Sequence, residues 1–244
     1  GAFDDLPLAE AALGETLPPG TITSRLSGGY LLEGPLSGLR LLLNVKEGTA
    51  TAWEVPVEAV EGRCSFDGEG LQIEKASLSL LGGETALEGT IRGPENLSLK
   101  AKLAKLDIAA FPERDRLAFT LGGELSGTIA LSCSREERLL EADLTVPRLK
   151  LGDFSLDDVN VKAKGDDERL EIETAQGLIG TSPVEARGSF ALSPLRGTFS
   201  LAGRELDLAL FASGVDPQKT GGLFDITLDA QVGPENFSGT GALT

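Results

Sequence analysis

Histidine and methionine are absent from this 244-residue chain, cysteine occurs twice, and aromatic residues make up 5% of it. Without imidazole there is no Ser-His or Cys-His pair, no histidine proton relay, and none of the commonest protein ligand for transition metals. Cys64 and Cys133 are too few for a disulfide framework or a cysteine zinc site. In the repeat described below they stand opposite the apolar Ala163 and Val232, which reads them as small core residues and leaves a bond between them open. Long apolar runs are also missing. The stretch from Leu39 to Val45 is broken by Arg40 and Asn44, far short of the roughly 20 residues that span a bilayer. The chain opens Gly1-Ala2-Phe3 with no charged n-region or apolar h-region, so it reads as a soluble piece of a longer protein whose signal or anchor lies elsewhere. Positive charge is scarce: 22 basic residues face 38 acidic ones, a net charge of −16. Such a chain repels nucleic acid and anionic lipid surfaces at long range.

What is present is glycine, at 31 residues, within a chain that is 41% hydrophobic. That is too apolar for disorder, and the glycines follow no G-X-Y period, so many turns between short strands are expected. The chain also matches itself at an offset near one hundred. Leu71-Gln72-Ile73-Glu74-Lys75-Ala76 meets Leu170-Glu171-Ile172-Glu173-Thr174-Ala175, and Lys105 to Phe111 meets Glu205 to Phe211. Leu43-Asn44-Val45 meets Leu144-Thr145-Val146, and Gly122-Gly123 meets Gly221-Gly222. A smaller echo joins Leu36-Ser37-Gly38 to Leu125-Ser126-Gly127. Ordered matches at a nearly constant offset mark a structural repeat. The expected organisation is one unit over 36–132, a second over 133–232, a partial unit with a candidate short helix over 1–35, and the start of a further strand at 233–244.

Period-two alternation dominates. Leu97, Leu99, Ala101 and Leu103 alternate with Ser98, Lys100 and Lys102, and Ala142, Leu144 and Val146 alternate with Asp143 and Thr145. Val159, Val161 and Ala163 alternate with Asn160, Lys162 and Lys164, while Phe224, Ile226, Leu228, Ala230 and Val232 alternate with Asp225, Thr227, Asp229 and Gln231. Each reads as a half-buried antiparallel strand. Turn signals such as Asp67-Gly68, Gly82-Gly83, Gly93-Pro94 and Gly165-Asp166 separate them. Roughly sixteen to eighteen strands follow. Asp5 to Leu17 and Ala209 to Asp216 are the helical candidates. An all-β chain of this kind can bury its apolar faces in two sandwiches, in a solenoid, or inside an elongated, curled antiparallel sheet. The low aromatic content suits the smooth interior of the curled sheet.

The Leu-x-Leu-x-Ala-x-Leu strand, the Leu106-Asp107-Ile108 and Leu206-Asp207-Leu208 segments that follow such strands, Leu125-Ser126-Gly127, and the next alternating strand together resemble the AsmA-like/TamB superfamily of bacterial envelope proteins. The resemblance implies a repeating β-groove, or β-taco, that conducts phospholipid between inner and outer membranes. It also implies a periplasmic location, an inner-membrane anchor outside this segment, and an outer-membrane β-barrel partner. Its lipid-lining candidates are Leu97, Leu99, Ala101, Leu103, Ile129 and Leu131 in one part of the chain. In the other they are Leu144, Val146, Val159, Val161, Leu170, Ile172, Phe199, Leu201, Ile226, Leu228, Ala230 and Val232. No cofactor, metal or catalyst is called for, because an acyl chain moves along an apolar surface without covalent chemistry.

Other readings are weighed against this one. A closed core would make the chain a structural envelope spacer or an adhesin-like stalk, and a scaffold for outer-membrane protein assembly is a further role. A glycosidase would need two placed carboxylates, but most acids alternate outward or stand in charge runs such as Asp166-Asp167-Glu168. Trp53 and Tyr30 are too isolated for sugar stacking, and Asp153 to Asp158 lacks the alternating acceptors and glycine of a calcium loop.

Overall fold

The computed structural model describes residues 1–7, 22–35, 38–52, 55–93, 95–111, 120–135, 137–152, 154–193, 195–207, 222–233 and 237–244. The chain is all-β, as its alternation requires. The strands are β1 (Ala2–Leu6), β2 (Ile22–Glu33), β3 (Arg40–Ala52), β4 (Val55–Phe66), β5 (Leu71–Leu80), β6 (Gly83–Ile91), β7 (Leu97–Asp107), β8 (Leu121–Gly122) and β9 (Glu124–Cys133). They continue with β10 (Arg138–Leu151), β11 (Phe154–Gly165), β12 (Arg169–Ile179), β13 (Ser182–Leu192), β14 (Leu195–Asp207), β15 (Leu223–Val232) and β16 (Phe237–Leu243). The sixteen strands among the described residues match the lower bound of the sequence expectation. Both helical candidates lie mainly outside the described residues; Asp5 and Leu6 belong to β1, and a 3-10 turn occupies Ile108–Ala110.

The strands gather into two compact units, Gly1–Ala118 with Leu125–Arg138, and Phe119–Glu124 with Leu139–Thr244. In the first unit β1 to β7 lie side by side in chain order and β9 follows β7; in the second β10 to β16 do the same, with β8 added beside β10. Neighbouring strands pair antiparallel, as meandering hairpins demand. Among the described residues β1 pairs only with β2 and β16 only with β15, so neither ladder closes into a barrel. The β5–β6 hairpin shows how tightly the turns are made. Leu80 pairs with Gly83 across a two-residue loop in which both Leu81 and Gly82 have positive φ, 49° and 73°. That primed turn matches the right-handed twist of the strands, and glycine supplies the second position without strain.

The backbone repeats its irregularities as well as its strands. Asp5, Lys105 and Glu205 stand 100 residues apart, near the ends of β1, β7 and β14, and all are left-handed at φ 56°, 55° and 53°. Ala59 and Asp158, 99 residues apart, repeat the pattern at φ 49° and 52°. Register shifts at Phe3/Leu6, Glu58/Glu61, Asp157/Asn160 and Gly203/Leu206 identify four of these as β-bulges, and Lys105 repeats the backbone of Asp5 and Glu205. A bulge leaves one N–H outside the ladder, and at Asp5, Lys105 and Glu205 a side chain from the next strand meets it. Ser27 Oγ accepts from Asp5 N at 3.4 Å, Ser126 Oγ from Lys105 N at 3.0 Å, and Asp225 Oδ1 from Glu205 N at 2.8 Å. The structural counterpart of Leu125-Ser126-Gly127 is therefore Leu26-Ser27-Gly28; Leu36 and Ser37 lie outside the described residues. All these bulges sit at one end of the strands, called here the bulged end. The opposite end carries the hairpins after β2, β4, β6, β9, β11, β13 and β15.

Candidate functional site

Cross-strand register turns the alternation of single strands into rows that run across each sheet. In the first unit Leu32, Leu41, Phe66, Leu71, Ile91 and Leu97 are successive partners from β2 to β7. The next row inward runs Tyr30, Leu43, Cys64, Ile73, Gly89 and Leu99. In the second unit one row runs Leu144, Val161, Ala175, Ala186, Leu201, Leu228 and Gly241, and its neighbour runs Ala142, Ala163, Ile172, Gly188, Phe199, Ala230 and Gly239. Leu170 and Val232 fall in a third, through Phe190 and Gly197. Glycine recurs inside the rows where a large side chain takes the space. At Gly197 an added Cβ would meet Phe190 at 2.5 Å.

The sequence candidates Leu97 and Leu99 and those on β10 to β15 occupy these rows or the row of Val146, Val159 and Ile226 beside them, while Ala101 and Leu103 follow on the same side of β7, opposite Leu87 and Thr85. Ile129 and Leu131 lie on β9 at half-buried and exposed positions. The structure adds residues that clean alternation did not flag, chiefly Leu41, Leu43, Leu71, Ile73 and Ile91. The Leu41-Leu42-Leu43 run hid its own facing, because all three residues are apolar and only register assigns Leu42 to the other side with Ser65.

Burial along this apolar face is graded. Near the bulges Leu103, Leu106, Val146, Val159, Val184 and Leu206 are buried, Leu206 to 1% exposure. Toward the other end most row residues are only half-buried, and several large ones are exposed, Leu32 at 56% and Phe66 at 44%. A closed core would bury its large side chains throughout. Exposed apolar side chains also occur at the bulged end, Phe154 at 46% and Leu243, the partner of Ile226, at 69%, so the buried residues form a packed seam in a face that is otherwise partly open.

The opposite face is polar and laced with cross-strand ion pairs. Lys164 Nζ lies 2.7 Å from Glu173 and 3.6 Å from Glu171, and the hydrogen bond to Glu173 raises its pKa first of all. Arg148 donates to Asp157 at 2.7 Å, and Lys162 lies 3.5 Å from Asp143. Such exposed pairs contribute little stability individually but keep the face solvated. Shallow concavities lie on this face too. One of about 760 Å³ spans β12 to β16 between Glu171, Arg187, Ser189, Thr198, Ser200 and Asp229, and another of about 630 Å³ lies between Asp5, Thr23, Arg25, Thr49 and Glu58. They are the gaps between outward polar side chains.

Shifted acid groups report structure. Asp67 accepts from the N–H groups of Glu69 and Gly70, each at 3.1 Å, and these bonds hold its carboxyl below the usual range. Asp166, 99 residues later, is lowered in the same way by Glu168 N at 2.8 Å and Arg169 N at 2.7 Å. Burial, helped by Glu74, pushes the Cys64 thiol up to about 11, so it is a neutral member of its apolar row. Both cysteines are free thiols. Among the described residues no three of Asp, Glu and Cys group as metal ligands. No helix among the described residues is long and apolar enough to cross a membrane. No family model matches the chain, and neither curated proteins nor solved structures provide a match.

Proposed function

We propose that the apolar faces hold phospholipid acyl chains, and that the chain is a periplasmic segment of a bridge-like lipid transport protein of the AsmA-like/TamB type, working between inner and outer membranes. The observation that carries this reading is the set of apolar rows whose side chains mostly stay half-exposed. An acyl chain laid along such a row gains about 0.8 kcal/mol for each methylene removed from water. Rows of similar chemistry from strand to strand offer similar affinity at each step, so a tail can advance without a catalyst. The charged opposite face keeps the protein in water and away from anionic membrane surfaces.

The test is lipid carriage. The purified chain should carry phospholipid detectable by native mass spectrometry and by solvent extraction, and Leu99→Asp and Leu228→Asp should each remove it while leaving the circular-dichroism spectrum of a folded β protein. A lipid-free protein that also ignores fluorescent acyl chains would turn the reading toward a spacer. Unfolding of both variants would mean that the rows are an ordinary core.

A further inference from the structure

At the edge of the second unit lies a strand unlike its neighbours. Of the sixteen strands among the described residues, only β16 and the two-residue β8 carry no charged residue. β16 also lacks proline and pairs with β15 without a register shift. Its other edge meets no strand among the described residues. Edge strands are ordinarily protected by charges, proline or bulges, because a bare row of N–H and C=O groups pairs with any strand that reaches it. β1 has that protection: Asp4 and Asp5 lie in it, and a bulge interrupts it between Phe3 and Leu6. The repeat adds that the bare edge of β16 is of a kind the fold pairs elsewhere. β16 follows β15 as β3 follows β2 and β10 follows β9, and β3 and β10 bond to β4 and β11 on the corresponding edge.

The phase of the ladder shows which backbone groups are free. Asp225 and Thr244 exchange both of their bonds, at 2.9 and 3.2 Å. Bonded and non-bonded pairs alternate in an antiparallel ladder, so Ala242, Thr240 and Ser238 direct their groups to β15, while Leu243, Gly241, Gly239 and Phe237 direct theirs outward. The strand Phe237-Ser238-Gly239-Thr240-Gly241-Ala242-Leu243 also reads nearly alike from either end, with Thr240 at its centre. Laid antiparallel on a second copy about Thr240, Phe237 stands opposite the Leu243 of that copy and Gly239 opposite its Gly241, so outward groups meet outward groups. Glycine inside a strand marks a place where another backbone comes close. An added Cβ at Gly239 or Gly241 would approach the chain's own atoms no nearer than 3.1 Å, against 2.4 Å at Gly197, so the chain's own packing demands glycine less at these two positions.

We infer that two copies of the chain join edge to edge through β16, antiparallel, with a two-fold axis at Thr240. A two-fold interface has to be self-complementary, and this strand is so in both backbone phase and sequence. The axis stands normal to the sheet, so the apolar faces of the two copies lie on one side. The row through Leu228 and Gly241 then runs on into the row through Gly239 and Ala230 of the second copy. This association stands apart from the lipid reading and holds or fails without it.

Sedimentation velocity of the 244-residue chain between about 1 and about 200 µM should show the mass rising toward that of two copies. Gly241→Pro removes an outward N–H that β15 does not use, and should weaken association at least about tenfold. Thr240→Lys sets two like charges face to face at the axis and should act in the same direction, with the circular-dichroism spectrum of the parent kept in both variants. Ala2→Pro is the control on the other edge: Gly1 and Tyr30 exchange bonds, so the Ala2 N–H also points outward, and association should be unchanged. In a Cys64→Ala/Cys133→Ala background, oxidation should link Thr240→Cys to its own copy across the axis and leave Ser238→Cys, which stands opposite Ala242, unlinked. A chain that stays monomeric over the whole range overturns the inference, as does association that Ala2→Pro weakens as much as Gly241→Pro does. Equal linking through Ser238→Cys and Thr240→Cys overturns the register about Thr240.

Discussion

The bulges at Lys105 and Glu205 occupy the same place in two copies of the repeat, yet their surroundings solve the same problem differently. At the first, the neighbouring strand supplies Gly83, where a Cβ would lie 2.5 Å from the Ala104 carbonyl oxygen and 2.6 Å from that of Lys105. At the second, the residue 99 positions on is Ser182, whose hydroxyl donates to the Glu205 carbonyl at 2.6 Å. The free N–H of the first bulge goes to a serine, Ser126, and that of the second to a carboxylate, Asp225. Two positions beyond Gly83, Thr85 is 6% exposed with its hydroxyl unpartnered; two beyond Ser182 stands Val184, equally buried. What the copies share is backbone shape and the leucine behind it, Leu106 and Leu206, at 3% and 1% exposure. The repeat preserves a bend and its packing, and leaves the hydrogen-bond chemistry free to vary.

The largest expected effect separates the packed seam beside the bulges from the open rows. Leu206→Ala should lower unfolding stability by about 3 kcal/mol, as a fully buried leucine does when its cavity cannot collapse. Leu228→Ala, from a half-buried row position, should cost about 1 kcal/mol. Urea denaturation of the two variants measures the difference, and equal costs would erase the distinction between packed seam and open face.

Next come the bulge partners. Asp225→Ala should cost about 1.5 kcal/mol and Ser126→Ala about 0.5 kcal/mol, because a bond to a charged acceptor is the stronger of the two. The ordering of the two denaturation midpoints is the readout. Thr85→Val makes the first copy like the second and should raise stability by about 1 kcal/mol, since it replaces a buried hydroxyl that has no partner with a methyl group. A loss of stability there would mean that the hydroxyl is satisfied.

The smallest effect lies at the paired turns of Asp67 and Asp166. Their folded pKa values are depressed, so their contribution is present above the unfolded value of 3.8 and is lost as pH falls through the folded values. Stability should therefore decline below about pH 4. Asp67→Ala/Asp166→Ala should flatten that acid limb, and an unchanged slope in melting temperature against pH would remove these turns from the account.

Much of this was legible in the residues. Alternation at Leu97 to Leu103 and at Phe224 to Val232 prescribes strands with one apolar side, since successive side chains point to opposite faces. The offset between Lys105-Leu106-Asp107 and Glu205-Leu206-Asp207 exposes the repeat. The bulges were not legible, because Asp5, Lys105 and Glu205 share no side-chain property that announces a left-handed backbone. The role of Leu106 and Leu206 was likewise hidden, for a leucine in a packed seam and a leucine in an open row look alike in sequence.

By itself, then, the sequence determined strand identity, the two-sided character of each strand, the repeat and the surplus of negative charge. These follow from local steric periodicity and composition, which need no knowledge of neighbours. Only tertiary structure decided which apolar residues join into rows and which of them pack into the buried seam beside the bulges. Those properties depend on register and on bends set by bulges, and both arise between strands rather than within them.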